Sequence, residues 1–168
     1  DIPARIEVVD NGYSEEDFAG KTRSASDRFT LLYGGAIYPT TDPSDALRSL
    51  ALLLARRPAL RPRIRFRILG YRHPPFEALA ARLGLTDLLS LEGPRPHGEV
   101  VQAMLDADVL VDARASHPSA AAMRPGKLFE YLRAGRPVLG YYPPGEAADL
   151  MAPFPGCVRV HPGDAEAG

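Results

Sequence analysis

The stretch DVLVDARASHPSAAAMRPGKLFEYLRAGRPVLGYY, residues 108–142, decides the fold. Its opening DVLV is a short apolar run of the length a buried strand needs. After a loop rich in alanine and proline, GKLFEYLRAG (126–135) is amphipathic and stops at Gly135, a residue that closes helices. RPVLGYY (136–142) is again a strand. A strand, a helix and a second strand in so few residues form the crossover unit of a parallel sheet.

The same alternation extends in both directions. FTLLYGG (29–35) is a strand ending in two glycines, and DPSDALRSLALLLARRP (42–58) is a helix with Asp42 or Ser44 as N-cap and a stripe of leucines at 47, 50, 53 and 54. RIRFRILG (63–70) alternates basic and apolar residues, so it is a strand with one less buried face near a sheet edge. PPFEALAARLG (74–84) is a helix framed by proline and glycine. LLSLEG (88–93), CVRVHP (157–162) and the helices HGEVVQAMLDA (97–107) and GEAADLM (145–151) complete the series. The expected fold is α/β, a Rossmann-like, open, mostly parallel and doubly wound sheet. Residues 1–28 read as an N-terminal strand, RIEVV at 5–9, followed by a linker, and residues 29–168 as one ligand-binding domain. The strand-like opening without a methionine and the ending HPGDAEAG suggest a piece of a longer protein, truncated at both ends.

At 168 residues and 45% hydrophobic content the chain is able to bury a substantial core without disulfides. Twenty basic residues against 21 acidic ones leave no global field to steer it to nucleic acid, and Arg61, Arg63, Arg65 and Arg67 follow strand-like sequence without exposed aromatics between them. An anionic ligand has to be caught locally. The lone Cys157 is expected as a buried strand residue, and the four histidines show no metal-ligand spacing. No apolar run reaches the length of a membrane span, and the default setting is cytoplasmic.

In an open α/β sheet, ligands bind beyond the carboxyl ends of the strands. Gly34 and Gly35 allow a ligand close to the backbone, with a tight strand exit as the plainer reading. Pro125 pre-sets a helical turn, Gly126 leaves room, and Arg124 and Lys127 put cations at a positive helix end, where a diphosphate would be neutralised. Glu130 is placed to accept two hydrogen bonds from vicinal hydroxyls. Lys127 and Glu130, three residues apart, are equally readable as a surface salt bridge. Dinucleotide-binding glycine spacing and a phosphate-loop GK[ST] are both missing.

Five blocks carry a resemblance: NGYSEEDF (11–18), LLYGGAIYPTTDPSDAL (31–47), RILG (67–70), LEGPRPHGEVVQAMLDADVLV (91–111) and RPGKLFEYLRAGRPVLG (124–140). In this order they resemble the C-terminal, nucleotide-sugar-binding domain of a family-4 retaining glycosyltransferase with the two-domain GT-B architecture. The resemblance implies that Glu130 matches the second glutamate of the family's pair and binds the donor ribose. It implies that Arg124 to Lys127, with Gly126, face the donor phosphates opposite Gly34 and Gly35. The loop from Glu92 to Gly98 would lie beside the nucleobase, with backbone groups of Pro94, Arg95 and Pro96 reading its edge. His97 is expected only as a capping or surface residue.

Two departures stand out. Ala122 occupies the place of the family's other glutamate, leaving Ser116, His117 and Ser119 as nearby polar groups. GGAIYPTTDP lacks the basic residues that many members carry there, so Arg124 and Lys127 are expected to bear more phosphate charge. The resemblance implies sugar transfer from a nucleoside-diphosphate sugar to an acceptor hydroxyl, with retention and no obligatory metal or other cofactor. Lys127, Glu130 and Arg124 are the candidates for the chemistry, and an N-terminal acceptor-binding domain completes the site. The isolated domain is then expected to be inactive, and the whole protein soluble or membrane-peripheral. A nucleotide-sugar epimerase and a non-catalytic nucleotide-sugar-binding domain remain as alternatives.

Overall fold

The computed structural model describes residue 7 and residues 9–168. Six strands, β1 (Phe29–Gly34), β2 (Ile64–Leu69), β3 (Leu89–Leu91), β4 (Val109–Ala113), β5 (Val138–Tyr141) and β6 (Val158–Val160), form one sheet. Its order is β3-β2-β1-β4-β5-β6, and every neighbouring pair is parallel. The helices are α1 (Glu15–Phe18), α2 (Ser44–Arg56), α3 (Pro74–Arg82), α4 (His97–Asp106), α5 (Gly126–Ala134) and α6 (Glu146–Met151). The expected Rossmann-like, doubly wound α/β fold is therefore present.

The central strands are buried because the helices cover both faces, while the edge strands β3 and β6 are more exposed. On one face, Leu47, Leu50 and Leu54 of α2 and Phe76 and Leu79 of α3 pack on Ile64, Phe66, Ile68 and Val111. On the other, Val101 and Met104 of α4, Leu128 and Tyr131 of α5 and Met151 of α6 pack on Leu32, Leu69, Leu110 and Val138. Leu53 departs from the expected stripe and is 40% exposed, because the face of α2 centred on Leu47, Leu50 and Leu54 turns it to the margin. The α2 start also differs in detail. Pro43 is its N-cap, while Asp42 Oδ1 accepts from the Ser44 amide at 2.9 Å.

β2 is second from the edge, with Arg65 and Arg67 half-buried on the less covered face. Arg67 is tied there to Glu92 by two hydrogen bonds of 2.6 and 2.8 Å. Gly135 ends α5 in the left-handed conformation at φ 66°, which explains why the run stops there.

The expected strand at 5–9 lies outside the described residues, apart from residues 7 and 9, which have no regular structure. The linker that follows carries α1, whose Phe18 enters the second core cluster. The short turns of 3-10 helix at Pro58–Arg63, Thr86–Leu88 and Pro118–Ala122 had no signal in the periodicity.

The sheet order fixes where a ligand fits. From β1 the chain steps outward through β2 and β3, then returns to place β4 on the other side of β1. The loops after β1 and β4 leave in opposite directions and open a crevice between them.

Candidate functional site

The β1 end of this crevice is pinned from two sides. The Gly34 amide donates to the Tyr131 hydroxyl at 2.9 Å, and the Gly35 amide donates to the Leu69 carbonyl at 2.7 Å. Gly35 sits at φ 126°, and a Cβ added to it would be 3.5 Å from Lys127 Nζ. A Cβ on Gly70 would stand 2.0 Å from the Gly35 carbonyl oxygen, so the β2 exit presses directly on this loop. The tight strand exit and the proximity to Lys127 occur at the same residues.

Lys127, in the first turn of α5, reaches back under the sheet ends. Its Nζ is 2.9 Å from Asp112 Oδ1 and 4.0 Å from the centre of the Tyr33 ring. Asp112 is fully buried on β4, where Oδ1 also accepts from the Ala113 amide at 2.9 Å and Oδ2 accepts from the Tyr142 hydroxyl. Burial, reinforced by the Asp112 charge, holds the Tyr131 and Tyr142 phenols well above their ordinary range, so both remain neutral hydrogen-bonding groups.

Glu130 lies one turn further along α5. It does not pair with Lys127, which overturns the surface salt-bridge reading of that spacing. Its partner is His97, whose Nε2 lies 3.2 Å from both Glu130 Oε1 and Asp17 Oδ2. Burial raises the Glu130 carboxyl above the usual carboxylate range; His97 opposes this and the nearby Asp17 charge adds to it. His97 is exposed at the start of α4, as expected of a surface residue, and also lies between these two carboxylates. The first turn of α4 meets the second turn of α5 on one sheet face, and α1 brings Asp17 to the same point.

The loop between β3 and α4 holds Pro94, Arg95 and Pro96 beside His97. Glu92, at its start, is kept below the usual carboxylate range by its hydrogen bonds to Arg67. The Pro96 carbonyl is occupied by the Glu99 and Val100 amides, at 2.9 and 3.2 Å. Proline has no N–H. The groups left free in that tripeptide, among the described residues, are the Arg95 amide and the carbonyls of Pro94 and Arg95.

Gly126 faces the N-terminal segment, where a Cβ would be 3.8 Å from Asn11 Nδ2. Arg124 turns away from the crevice and is bracketed by Asp10 and Glu146. With Ala122 and Asn11 it borders a separate cavity of about 280 Å³. Arg124 and Lys127, both expected to face phosphate, are thus each held by carboxylates, Arg124 by Asp10 and Glu146 and Lys127 by Asp112.

Among the described residues, no group of three or more His, Cys, Asp or Glu is arranged to hold a metal ion, and no helix is long and apolar enough to cross a membrane. The site thus joins Gly34, Gly35, Lys127 and Asp112 at one end to Glu130, His97 and Asp17 at the other. Chemically, it offers close-approach backbone and a cation at the first end and a carboxylate acceptor at the second.

No family model matches the chain. A D-inositol 3-phosphate glycosyltransferase of Thermobispora bispora is 32% identical over 124 residues, covering 65% of this chain and 29% of the relative. A protein of the same name from Kribbella flavida is 28% identical across 98% of this chain and 45% of its own length. The chain spans less than half the length of either relative. Among solved structures, WaaG, a glycosyltransferase involved in lipopolysaccharide biosynthesis, superposes with a TM-score of 0.67 at 24% identity, over 83% of this chain and 35% of that one. The shared architecture is a Rossmann-like half of a GT-B-type fold.

Proposed function

We propose that this chain is the donor-binding, C-terminal half of a family-4-type retaining glycosyltransferase, which moves a sugar from a nucleoside diphosphate to an acceptor hydroxyl. The observation that carries this reading is the crevice at the β1–β4 switch point, where Gly35, Lys127 and, one helical turn on, Glu130 are brought together. The similarity to named glycosyltransferases supports it.

Glu130 accepts hydrogen bonds from the two ribose hydroxyls, replacing the contact with His97. Lys127 and the amides at the α5 start face the diphosphate from one side, and the Gly34–Gly35 backbone faces it from the other. The Arg95 amide and the carbonyls beside it read the nucleobase edge. As the glycosidic bond breaks, charge grows on the distal phosphate, where fixed cations and oriented amides stabilise the transition state more than the ground state. Positioning and charge stabilisation are the whole contribution of this half, so the reading requires no resident metal and no nucleophile from it. The acceptor, and the group that receives its proton, belong to a second domain whose closure excludes water. The isolated chain then binds donor without turning it over. The single cysteine agrees with a reducing, cytoplasmic setting.

Ala122 favours a second reading, a nucleotide-sugar-binding domain without catalysis, because no carboxylate stands at that position. The test is to incubate the full-length protein with a panel of nucleoside-diphosphate sugars and acceptor alcohols, with chelator present. A product that keeps the donor's anomeric configuration supports transfer. An altered sugar formed without acceptor means an epimerase, and donor binding without any product means a binding module.

A further inference from the structure

β4 outruns its partner on one side. Its register with β1 pairs Leu31 with Val109 and Leu32 with Leu110 and goes no further, whereas its pairing with β5 continues to Ala113. The Leu110 and Arg114 amides bond to β5-side carbonyls, of Pro137 and Tyr141. By the alternation of a strand, the Ala113 backbone therefore faces β1 and the crevice. Both of its polar groups are taken by side chains: the N–H donates to Asp112 Oδ1 at 2.9 Å, and the carbonyl accepts from Arg114 Nη1 at 3.2 Å.

Arg114 is only 8% exposed, its Nε has no partner, and the Ala113 carbonyl is its sole hydrogen-bond acceptor among the described residues. The basic groups around it are already matched. Lys127 is cancelled by Asp112, and Arg124 is more than cancelled by Asp10 and Glu146. A contact chain runs from Gly35 through Lys127, Asp112 and Ala113 to Arg114, so the unmatched charge belongs to the same cluster. Beyond Arg114 lies a cavity of about 340 Å³ that also meets Ser44, Ser116 and Tyr141. Of the acids on its wall, Asp45 is paired with Arg48 and accepts from the Gly163 amide, while Asp42 accepts from Ser44 and makes no ion pair, with Arg114 or any other cation, among the described residues.

A buried guanidinium without a counter-ion destabilises a fold, and an arriving anion reverses that penalty. We propose that Arg114 is a phosphate-binding residue of the crevice, closing on the donor diphosphate from the β4 side. It supplies positive charge that the first loop lacks and adds to that of Lys127, which is partly offset by Asp112. This rests on the donor-binding reading above.

The test compares wild type with Arg114→Met and Arg114→Lys, using calorimetric titration with a nucleoside, its monophosphate and its diphosphate, and thermal unfolding without ligand. Losing a charge-assisted contact weakens diphosphate binding by about tenfold or more. The expectation is that Arg114→Met shows this loss, binds the unphosphorylated nucleoside as wild type does, and melts at the same or a higher temperature. Arg114→Lys recovers part of the affinity. Unchanged diphosphate affinity in Arg114→Met overturns the proposal. So does an equal loss for nucleoside and diphosphate, or a lower melting temperature, because these mark a structural residue. If wild type binds no nucleotide, the donor reading fails and titration with inorganic pyrophosphate decides for Arg114: binding that Arg114→Met abolishes keeps the anion site, and no binding removes it.

Discussion

The two ends of the crevice handle charge in opposite ways. At the Lys127 end the charges are buried and fixed, with Asp112 holding Lys127, the Ala113 amide and the Tyr142 hydroxyl at once. At the Glu130 end a carboxylate and a histidine meet near the surface beside a second acid, and their contacts are exchangeable. A site that stabilises developing charge benefits from groups that do not reorganise, while a site that recognises hydroxyls needs an acceptor that is free to change partners. On the donor-binding proposal, the contrast fits charge stabilisation at one end and recognition at the other.

The sharpest way to break the contrast is Asp112→Ala. It leaves the Lys127 ammonium and the Tyr142 hydroxyl without their buried partner, and removing one member of such a pair costs about 3–5 kcal/mol. Urea unfolding should show that loss, and a variant as stable as wild type would mean the buried end is not fixed by Asp112.

Next in size is Glu130→Gln, whose effect falls on binding. Loss of a charge-assisted acceptor weakens nucleoside-diphosphate affinity by about 1.5–3 kcal/mol. Wild type should discriminate against 2′-deoxy nucleotides and the variant should not. Folding stability should hold or rise, since burial already disfavours the Glu130 charge.

A pH series sharpens the same end. Because the folded-state carboxyl is raised, Glu130 takes up its proton at a higher pH than an ordinary glutamate, and ribose recognition fades as pH falls through that raised value. The sign for stability is opposite: a raised carboxyl destabilises the fold when ionised, and the penalty is relieved as pH falls. His97→Gln removes the group that holds the carboxyl down, so the midpoint of the affinity loss should move to higher pH. Titrations that superimpose for wild type and Glu130→Gln would remove Glu130 as the cause.

The smallest effect is expected for Arg124→Ala. Its ion pairs with Asp10 and Glu146 are solvent-exposed, so the melting temperature should not change measurably. Its loss of diphosphate affinity should be smaller than that of Lys127→Ala.

The difference between the ends also separates what the sequence reveals from what it hides. RPGKLFEYLRAG announces its helix through amphipathic spacing between Pro125 and Gly135, and Lys127 and Glu130 come with it because they lie on that helix. The parallel sheet follows from alternation in the same local way, while the order of its strands does not. The sequence places Asp112 and Arg114 only at the end of the DVLV strand, because their partners depend on how β4 registers against β1 and β5. A signal was present: two charged residues at alternate positions beside the apolar VLV. The contact of His97 and Asp17 is hidden for a related reason. Their meeting with Glu130 is set by the packing of α1, α4 and α5, which sequence spacing does not encode.

The most direct measurement is calorimetric titration of the chain with UDP, GDP, ADP and TDP in the presence of chelator, repeated with Glu130→Ala. The account expects one nucleotide to bind in preference to the others and Glu130→Ala to abolish that binding without unfolding the protein. If every nucleotide fails to bind a folded sample, or if Glu130→Ala binds as wild type does, the crevice between β1 and β4 is not a nucleotide-sugar site.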